Sequence, residues 1–142
     1  MKTKSTTELL KELSGAASFD EFVKQNREFM IDKSLSEHLH ELLAEKKLKK
    51  SDVIKKAELS SDYAYQIFSG TKSAPARDKL ICLAIGMDLS VDETNGLLKL
   101  AGLMPLYPKN MRDSMILFGI NNDKDVCEIN EMLFEKGEET IG

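Results

Sequence analysis

Residues 77–102 and 112–137 repeat each other at a constant offset of 35 residues. Ten of the 26 aligned positions are identical without a gap, including an Arg-Asp pair at the start of each segment and a glycine at its end. Ser90 and Asp125 each stand three residues before a Glu, which is the spacing of a helix capping box. We therefore expect one helical hairpin to occur twice, and the two copies to stack and extend one core.

The repeated polar residues have a structural interpretation. Gly86 and its counterpart Asn121 both tolerate the left-handed conformation, so each is expected to take it at the end of the first helix of its hairpin. The repeated arginine is expected to pair with a Glu or to cap a helix end within its hairpin, and the repeated asparagine to bond a loop carbonyl. These residues form no catalytic constellation.

Helical periodicity and capping signals continue over the rest of the chain, which has only three prolines and eight glycines in 142 residues. The sequence therefore predicts an all-α fold. The expected helices lie at residues 5–14, 19–31, 34–48, 49–57, 61–69, 75–85, 91–101, 110–120 and 126–136. The expected divisions are an N-terminal helical extension at 1–33, a central domain at 34–103, and a C-terminal hairpin at 104–142 packed on the same core.

The positive charge is concentrated in the middle of the chain. The whole sequence has a net charge of −4, but residues 46–79 carry nine basic and four acidic side chains. Residues 1–45 have a net charge of −3 and residues 80–142 a net charge of −6. A polyanion would therefore bind around residues 46–79, because local charge rather than the total determines such binding.

Several chemistries have little support. Cys82 lies in an apolar helical stretch and is expected to be a buried free thiol, which favours a reducing, cytoplasmic setting. His38 and His40 are two residues apart on a helix, so they point to different faces and are not expected to chelate a metal. We find no signal peptide, membrane span, Gly-rich phosphate loop or nucleophile grouping, and expect neither enzymatic activity nor a cofactor.

The segment LKKSDVIKKAELSSDYAYQIFSGTKSAP, residues 48–75, resembles the helix-turn-helix of phage-repressor-like bacterial regulators of the Cro/C1 or XRE type. Two short helices, 49–57 and 61–69, are separated by a three-residue turn, as in that family. The resemblance covers about residues 34–102 and implies a lambda-repressor-like domain of five helices. The matching positions are Leu48, Val53, Ile54, Leu59, Ser60, Ala64, Tyr65, Ile67, Gly70 and Pro75.

The resemblance implies sequence-specific binding to duplex DNA, in transcriptional regulation, with helix 61–69 in the major groove. Homodimerisation is also possible, since repressors of this kind bind two half-sites. The base-reading residues it implies are Ser60, Ser61, Asp62, Tyr65 and Gln66. The residues it implies for the DNA backbone are Lys49, Lys50, Lys55, Lys72 and Ser73.

Two carboxylates near this surface leave an alternative open. Glu58 replaces the usual turn glycine, so either the turn is built differently or Glu58 takes a strained backbone. Asp62 at the tip of the reading helix repels phosphates unless it faces a base donor. The alternative is a protein–protein adaptor that keeps the fold without binding DNA and docks its partner on the acidic residues 80–142.

Overall fold

The computed structural model describes residues 4–27 and 33–142, and this part of the chain is all-α, as predicted from the sequence. It contains nine helices and no strand. The helices are α1 (Thr6–Gly15), α2 (Phe19–Asn26), α3 (Leu35–Glu45), α4 (Lys50–Ala57), α5 (Ser61–Ser69), α6 (Arg77–Gly86), α7 (Val91–Leu100), α8 (Met111–Asn121) and α9 (Val126–Glu135). None of these helices is both long and apolar enough to cross a membrane.

The helix boundaries follow local capping chemistry closely. The predicted helix at 75–85 begins two residues later, because Ala76 is extended (φ −62°, ψ 145°) and serves as its N-cap. Of the predicted helix at 19–31, the described part ends at Asn26, and positions 28–31 lie outside the described residues. Full capping boxes form at the start of α7 and α9, where Ser90 and Asp125 each exchange hydrogen bonds with a Glu.

The chain divides into two compact units, residues 1–32 and 33–142. In the first unit, α1 and α2 contact each other through a polar network around Asn26, whose side chain is buried. Lys4 Nζ donates to Asn26 Oδ1 at 2.6 Å, and Asn26 Nδ2 donates to Glu12 Oε2 at 2.8 Å. The hydrogen bonds from Lys4 and Asn26 hold the pKa of Glu12 below its ordinary value.

In the second unit, α3 to α9 share one hydrophobic core, and α4 packs closely on α6. Gly86 makes this approach possible, since a Cβ at that position would lie 2.6 Å from the Val53 carbonyl oxygen and 2.9 Å from the Ala57 nitrogen. The prediction that Gly86 and Asn121 take the left-handed conformation is wrong. Both are helical, and the left-handed residues come two positions later, where Asp88 and Asp123 have φ of 54° and 55°.

The two hairpins, α6–α7 and α8–α9, pair reciprocally. Arg77 donates to both carboxylate oxygens of Asp113, at 3.1 and 2.9 Å, and Arg112 donates to those of Asp78 at the same two distances. The helix contacts are also reciprocal, because α6 contacts α9 while α7 contacts α8. Such reciprocity is the signature of a two-fold relation. The hairpins therefore close on each other about a pseudo-two-fold axis instead of stacking as an open array, and each arginine pairs with the other hairpin.

The repeat continues beyond the glycines into the segments that follow α7 and α9. The Leu106 amide donates to Asn95 Oδ1 at 2.8 Å, and the Ile141 amide donates to Asn130 Oδ1 at 2.7 Å. Both anchored side chains are buried, with 4% and 2% of their surface exposed. Each arginine also donates to two backbone carbonyls in the segment that follows its hairpin. Arg77 donates to Met104 and Pro105, and Arg112 donates to Glu139 and Thr140. The repeated unit is thus a hairpin followed by a short segment with one buried apolar side chain, Leu106 in the first copy and Ile141 in the second.

Candidate nucleic-acid interface

The turn between α4 and α5 is built around a left-handed glutamate. Glu58 has φ 55° and ψ 35°, which is the left-handed region. Of the two possibilities that the sequence left open, Glu58 therefore takes a strained backbone, and the turn itself is not built differently. Ser60 then caps α5, its side-chain oxygen accepting from the Tyr63 amide at 3.3 Å. Gly70, with φ 86°, ends the helix in the left-handed conformation. As predicted, the inward face of α5 is fully buried and consists of Ala64, Ile67 and Phe68.

The outward face of α5 carries the five residues predicted to read bases. All five are exposed, and Tyr65 exposes 47% of its surface. Ser61 and Tyr65, and Asp62 and Gln66, are each four residues apart, so they form two adjacent rows on one side of the helix. Ser60 lies at the N-terminal end, where its hydroxyl oxygen already accepts the capping hydrogen bond. The structure therefore brings the predicted base-reading residues together on one exposed surface.

Lys50 connects three helices at one side of α5. Its Nζ lies 5.3 Å from the centroid of the Phe68 ring on α5 and 3.3 Å from His40 Nε2 on α3. His40 Nδ1 is 2.8 Å from the Ser36 carbonyl oxygen, so it donates there and leaves Nε2 to accept from Lys50. Lys50, the first residue of α4, thus links α4 to His40 on α3 and makes a cation–π contact with the Phe68 ring on α5.

Tyr63 organises the other side of α5. Its hydroxyl oxygen accepts a hydrogen bond from the Ala76 amide at 3.1 Å, which ties α5 to the start of α6. The ammonium groups of Lys72 and Lys79 lie 5.0 and 5.8 Å from its ring centroid. The Lys72 amide donates to the Gln66 carbonyl at 2.9 Å and fixes the loop after α5. Lys79 was not predicted as a site residue, although it belongs to the basic stretch 46–79.

The remaining predicted backbone contacts lie elsewhere on the surface. Ser73 is exposed in the loop after α5. Lys49 and Lys55 are exposed and line a groove along α4, away from the ring contacts of α5. Lys55 also lines a second cleft of about 500 Å³, where aspartates of both hairpin turns, including Asp88 and Asp123, face the lysines. The structure thus groups Lys50 and Lys72 with α5, and places Lys49 and Lys55 along α4.

Other reactive groups are separate from this surface. Cys82 is fully buried, as predicted, and burial raises the pKa of its thiol to about 12. Cys127 is exposed on α9, and the neighbouring Glu131 carboxylate raises the pKa of its thiol. Within residues 4–27 and 33–142, no group of three or more His, Cys, Asp or Glu side chains is placed to hold a metal ion.

The α5 surface therefore combines an exposed polar helix end with lysines fixed on both of its sides. The N-terminal end of a helix carries a partial positive charge, which adds to that of the lysines. This combination suits an anionic partner whose groups are polar and closely spaced. Comparison with protein-family models, with curated proteins and with solved structures finds no match to this chain.

Proposed function

We propose that this chain binds double-stranded DNA sequence-specifically, as a bacterial transcriptional regulator with a repressor-like helix-turn-helix fold made by α3 to α7. One observation carries the proposal. Two lysines contact aromatic rings of α5 itself, Lys72 on Tyr63 near the N-terminal end of the helix and Lys50 on Phe68 near its C-terminal end. A reading helix needs such an arrangement, because phosphate contacts on both sides fix its register while its tip contacts bases.

The dimensions and side chains of α5 fit the major groove. An α-helix with its side chains is about 10–12 Å in diameter, and the major groove is about 12 Å wide. Ser61 can bond several bases, and Asp62 can accept from the amino group of cytosine. Tyr65 can contact a thymine methyl, and Gln66 can pair with adenine. Asp62 thus disfavours non-specific phosphate binding and favours cytosine at one position.

The phosphate contacts are assigned to the lysines around α5. Lys50 and Lys72 are half-buried and held near the helix, so they lose less conformational freedom on binding than free surface lysines do. Lys79 joins them through its contact with Tyr63. Lys49, Lys55 and Ser73 remain proposed contacts at the edge of the interface.

The test measures binding to a pool of random-sequence duplexes by fluorescence anisotropy at several salt concentrations. Wild type should show a steep salt dependence, and the Lys50→Glu/Lys72→Glu variant should lower the slope by about 2, since each phosphate contact contributes about 0.9. The matched control, Lys99→Glu/Lys136→Glu, makes the same charge change at exposed sites on α7 and after α9. Equal slopes in both variants, or no binding at low salt, would refute the proposal.

A protein-binding adaptor with the same fold is the second candidate. The exposed apolar residues Phe118 and Phe134 on the acidic hairpin α8–α9 favour it, because a nucleic-acid contact has no use for them. Asp62→Asn separates the two candidates. In a DNA-binding protein it removes a repulsion, so non-specific affinity should rise several-fold, whereas in an adaptor that does not bind DNA the variant stays without affinity.

A further inference from the structure

The outward side of α9 combines an exposed aromatic ring with exposed carboxylates. Phe134 exposes 78% of its surface, and Glu131 and Glu135 on the same side of the helix are also exposed. All three residues point away from the buried side of α9, which packs on the core. We call Glu131, Phe134 and Glu135 the α9 face. It is a helix surface that nothing in the described part of the chain covers.

The negative charge of the C-terminal region is concentrated on and after α9. Residues 125–142 carry six acidic side chains and one basic side chain, a net charge of −5, out of the −6 of residues 80–142. Neither Glu131 nor Glu135 forms an ion pair within the described part of the chain. Glu135 lies in the last turn, at the negative end of the helix dipole, and Glu131 lies one turn before it, so the two carboxylates also repel each other. The fold leaves this charge uncompensated.

The internal repeat shows that the hairpin does not need this surface in order to fold. Gly96, Lys99 and Leu100 of α7 stand at the positions of the α9 face. Gly96 and Lys99 are exposed like their counterparts, so neither position contributes to the core. Lys99 places a positive charge in the last turn of α7, where it suits the helix dipole, whereas α9 has no basic residue in its last turn. Folding therefore does not account for the residues of the α9 face.

Charge and side-chain type together indicate the kind of partner. The two carboxylates repel phosphate groups, which opposes binding of nucleic acid or of an anionic membrane surface. They also repel the same face of a second copy of the chain. A protein surface with lysine or arginine side chains complements them, and Phe134 beside them fits an apolar pocket on such a surface.

We propose that the α9 face docks a basic partner protein, which receives Phe134 in an apolar pocket and surrounds the ring with lysine or arginine side chains. The carboxylates attract and orient the partner, and burial of the ring supplies affinity. The partner's positive charge also compensates Glu135 at the negative end of α9, which the chain itself does not do. The α9 face lies outside α3 to α7, which carry the proposed DNA binding, so this docking does not depend on that function.

The test follows the isotope-labelled full chain by NMR while an amphipathic model peptide of leucine and lysine is added. This peptide offers both an apolar side and a surrounding positive charge. Amide shifts should be centred on residues 127–139, and the affinity should fall as salt is raised. A second peptide with serine in place of leucine keeps the charge and loses the apolar side. It should bind about tenfold more weakly, or weaker still, because it cannot bury the Phe134 ring.

Phe134→Lys gives α9 the lysine that α7 has at the same position. This variant should weaken binding of the leucine–lysine peptide by about tenfold or more. It should also raise Tm by about 1–4 °C, because the new charge suits the C-terminal end of the helix. A variant that loses binding and gains stability cannot have lost binding through unfolding. Phe118→Lys is the matched control, since it makes the same change at an exposed phenylalanine on α8 and should keep an affinity close to that of wild type.

Several results would overturn the proposal. Absence of binding to wild type at low salt would do so, as would shifts centred on another helix or equal affinity for the two peptides. An equal loss of affinity in Phe118→Lys, or a lower Tm in Phe134→Lys, would show that the ring of Phe134 is not the specific contact. Concentration-dependent shifts of α9 without peptide would identify a second copy of the chain as the occupant. None of these measurements includes DNA, so their failure leaves the DNA-binding proposal unaffected.

Discussion

Adding one methyl group at Gly86 should separate α4 from α6. The Cβ of Gly86→Ala would lie 2.6 Å from the Val53 carbonyl oxygen and 2.9 Å from the Ala57 nitrogen. Both are backbone atoms of α4, so they cannot turn away as a side chain could, and the two helices must move apart. Gly96 provides the matched control, because it also lies within a helix and an added Cβ would have no atom within 4 Å.

The magnitude follows from two opposing effects. Replacing glycine by alanine stabilises the fold by up to about 1 kcal/mol at Gly96, inside α7, and by no more than that at Gly86, the last residue of α6. At Gly86 the overpacking costs about 3 kcal/mol, the upper end of the usual range, because the clash is with backbone. Gly86→Ala should therefore lose about 2 kcal/mol and Gly96→Ala gain up to about 1 kcal/mol. The gap of about 3 kcal/mol corresponds to roughly 10 °C in Tm.

Urea unfolding followed by far-UV circular dichroism measures this gap directly. Hydrogen exchange should also show the loss of protection concentrated in α4 and the second half of α6. The two variants make the same chemical change, so most of the difference between their unfolding free energies comes from the contact of α4 with α6; the smaller helix gain at Gly86, the last residue of α6, adds at most about 1 kcal/mol. Equal unfolding free energies for Gly86→Ala and Gly96→Ala would refute the close approach of α4 to α6.

Two further predictions concern titratable groups. Burial acts to raise the pKa of Asp113, but hydrogen bonds from Arg77 and the Tyr107 amide outweigh it and lower that pKa. The stability that the Asp113 carboxylate contributes is therefore fully present above about pH 4, and it is lost as pH falls through the lowered pKa. Asp113→Asn should reduce the slope of the unfolding free energy against pH between about pH 5 and about pH 2. For the thiols, a thiol reagent should label only Cys127 in the folded chain and also Cys82 in urea, because Cys82 is buried. Mass spectrometry that finds Cys82 labelled without denaturant would contradict its burial.

The sequence was sufficient for the helices because their signals are local. Ser5, Ser18, Ser34, Ser60 and Ser90 each accept a hydrogen bond from the amide three residues on, and the sequence predicts four of these capping residues, namely Ser18, Ser34, Ser60 and Ser90. The exposed face of α5 follows from the same periodicity, because fixing the three buried residues fixes the residues that point outward.

The arrangement of the hairpins could not be read in the same way. Because Arg77 and Arg112 are identical residues, as are Asp78 and Asp113, the sequence cannot distinguish pairing within a hairpin from pairing between hairpins. Gly86 presents a similar ambiguity, since a glycine at a helix end suits both a left-handed turn and a close helix approach. Only packing decides between the two, and packing depends on residues distant in sequence.

The placement of the lysines also depends on tertiary contacts. Lys50 and Lys72 were predicted as phosphate contacts from their position in the motif. Their cation–π contacts with Phe68 and Tyr63 could not be predicted, because they form only when α3, α5 and α6 pack together. Lys79 shares the ring of Tyr63 only because α6 begins beside that tyrosine. No spacing rule relates these residues.

The contacts of residues 76 and 77 have a mechanical consequence. The Ala76 amide donates a hydrogen bond to the Tyr63 hydroxyl on α5, and the next residue, Arg77, donates two hydrogen bonds to the Asp113 carboxylate on α8. One hydrogen bond, one peptide unit and one ion pair thus link α5 to the second hairpin. Because the two contacts come from adjacent residues, a displacement of α5 and a displacement of α8 act on the same peptide unit, between Ala76 and Arg77.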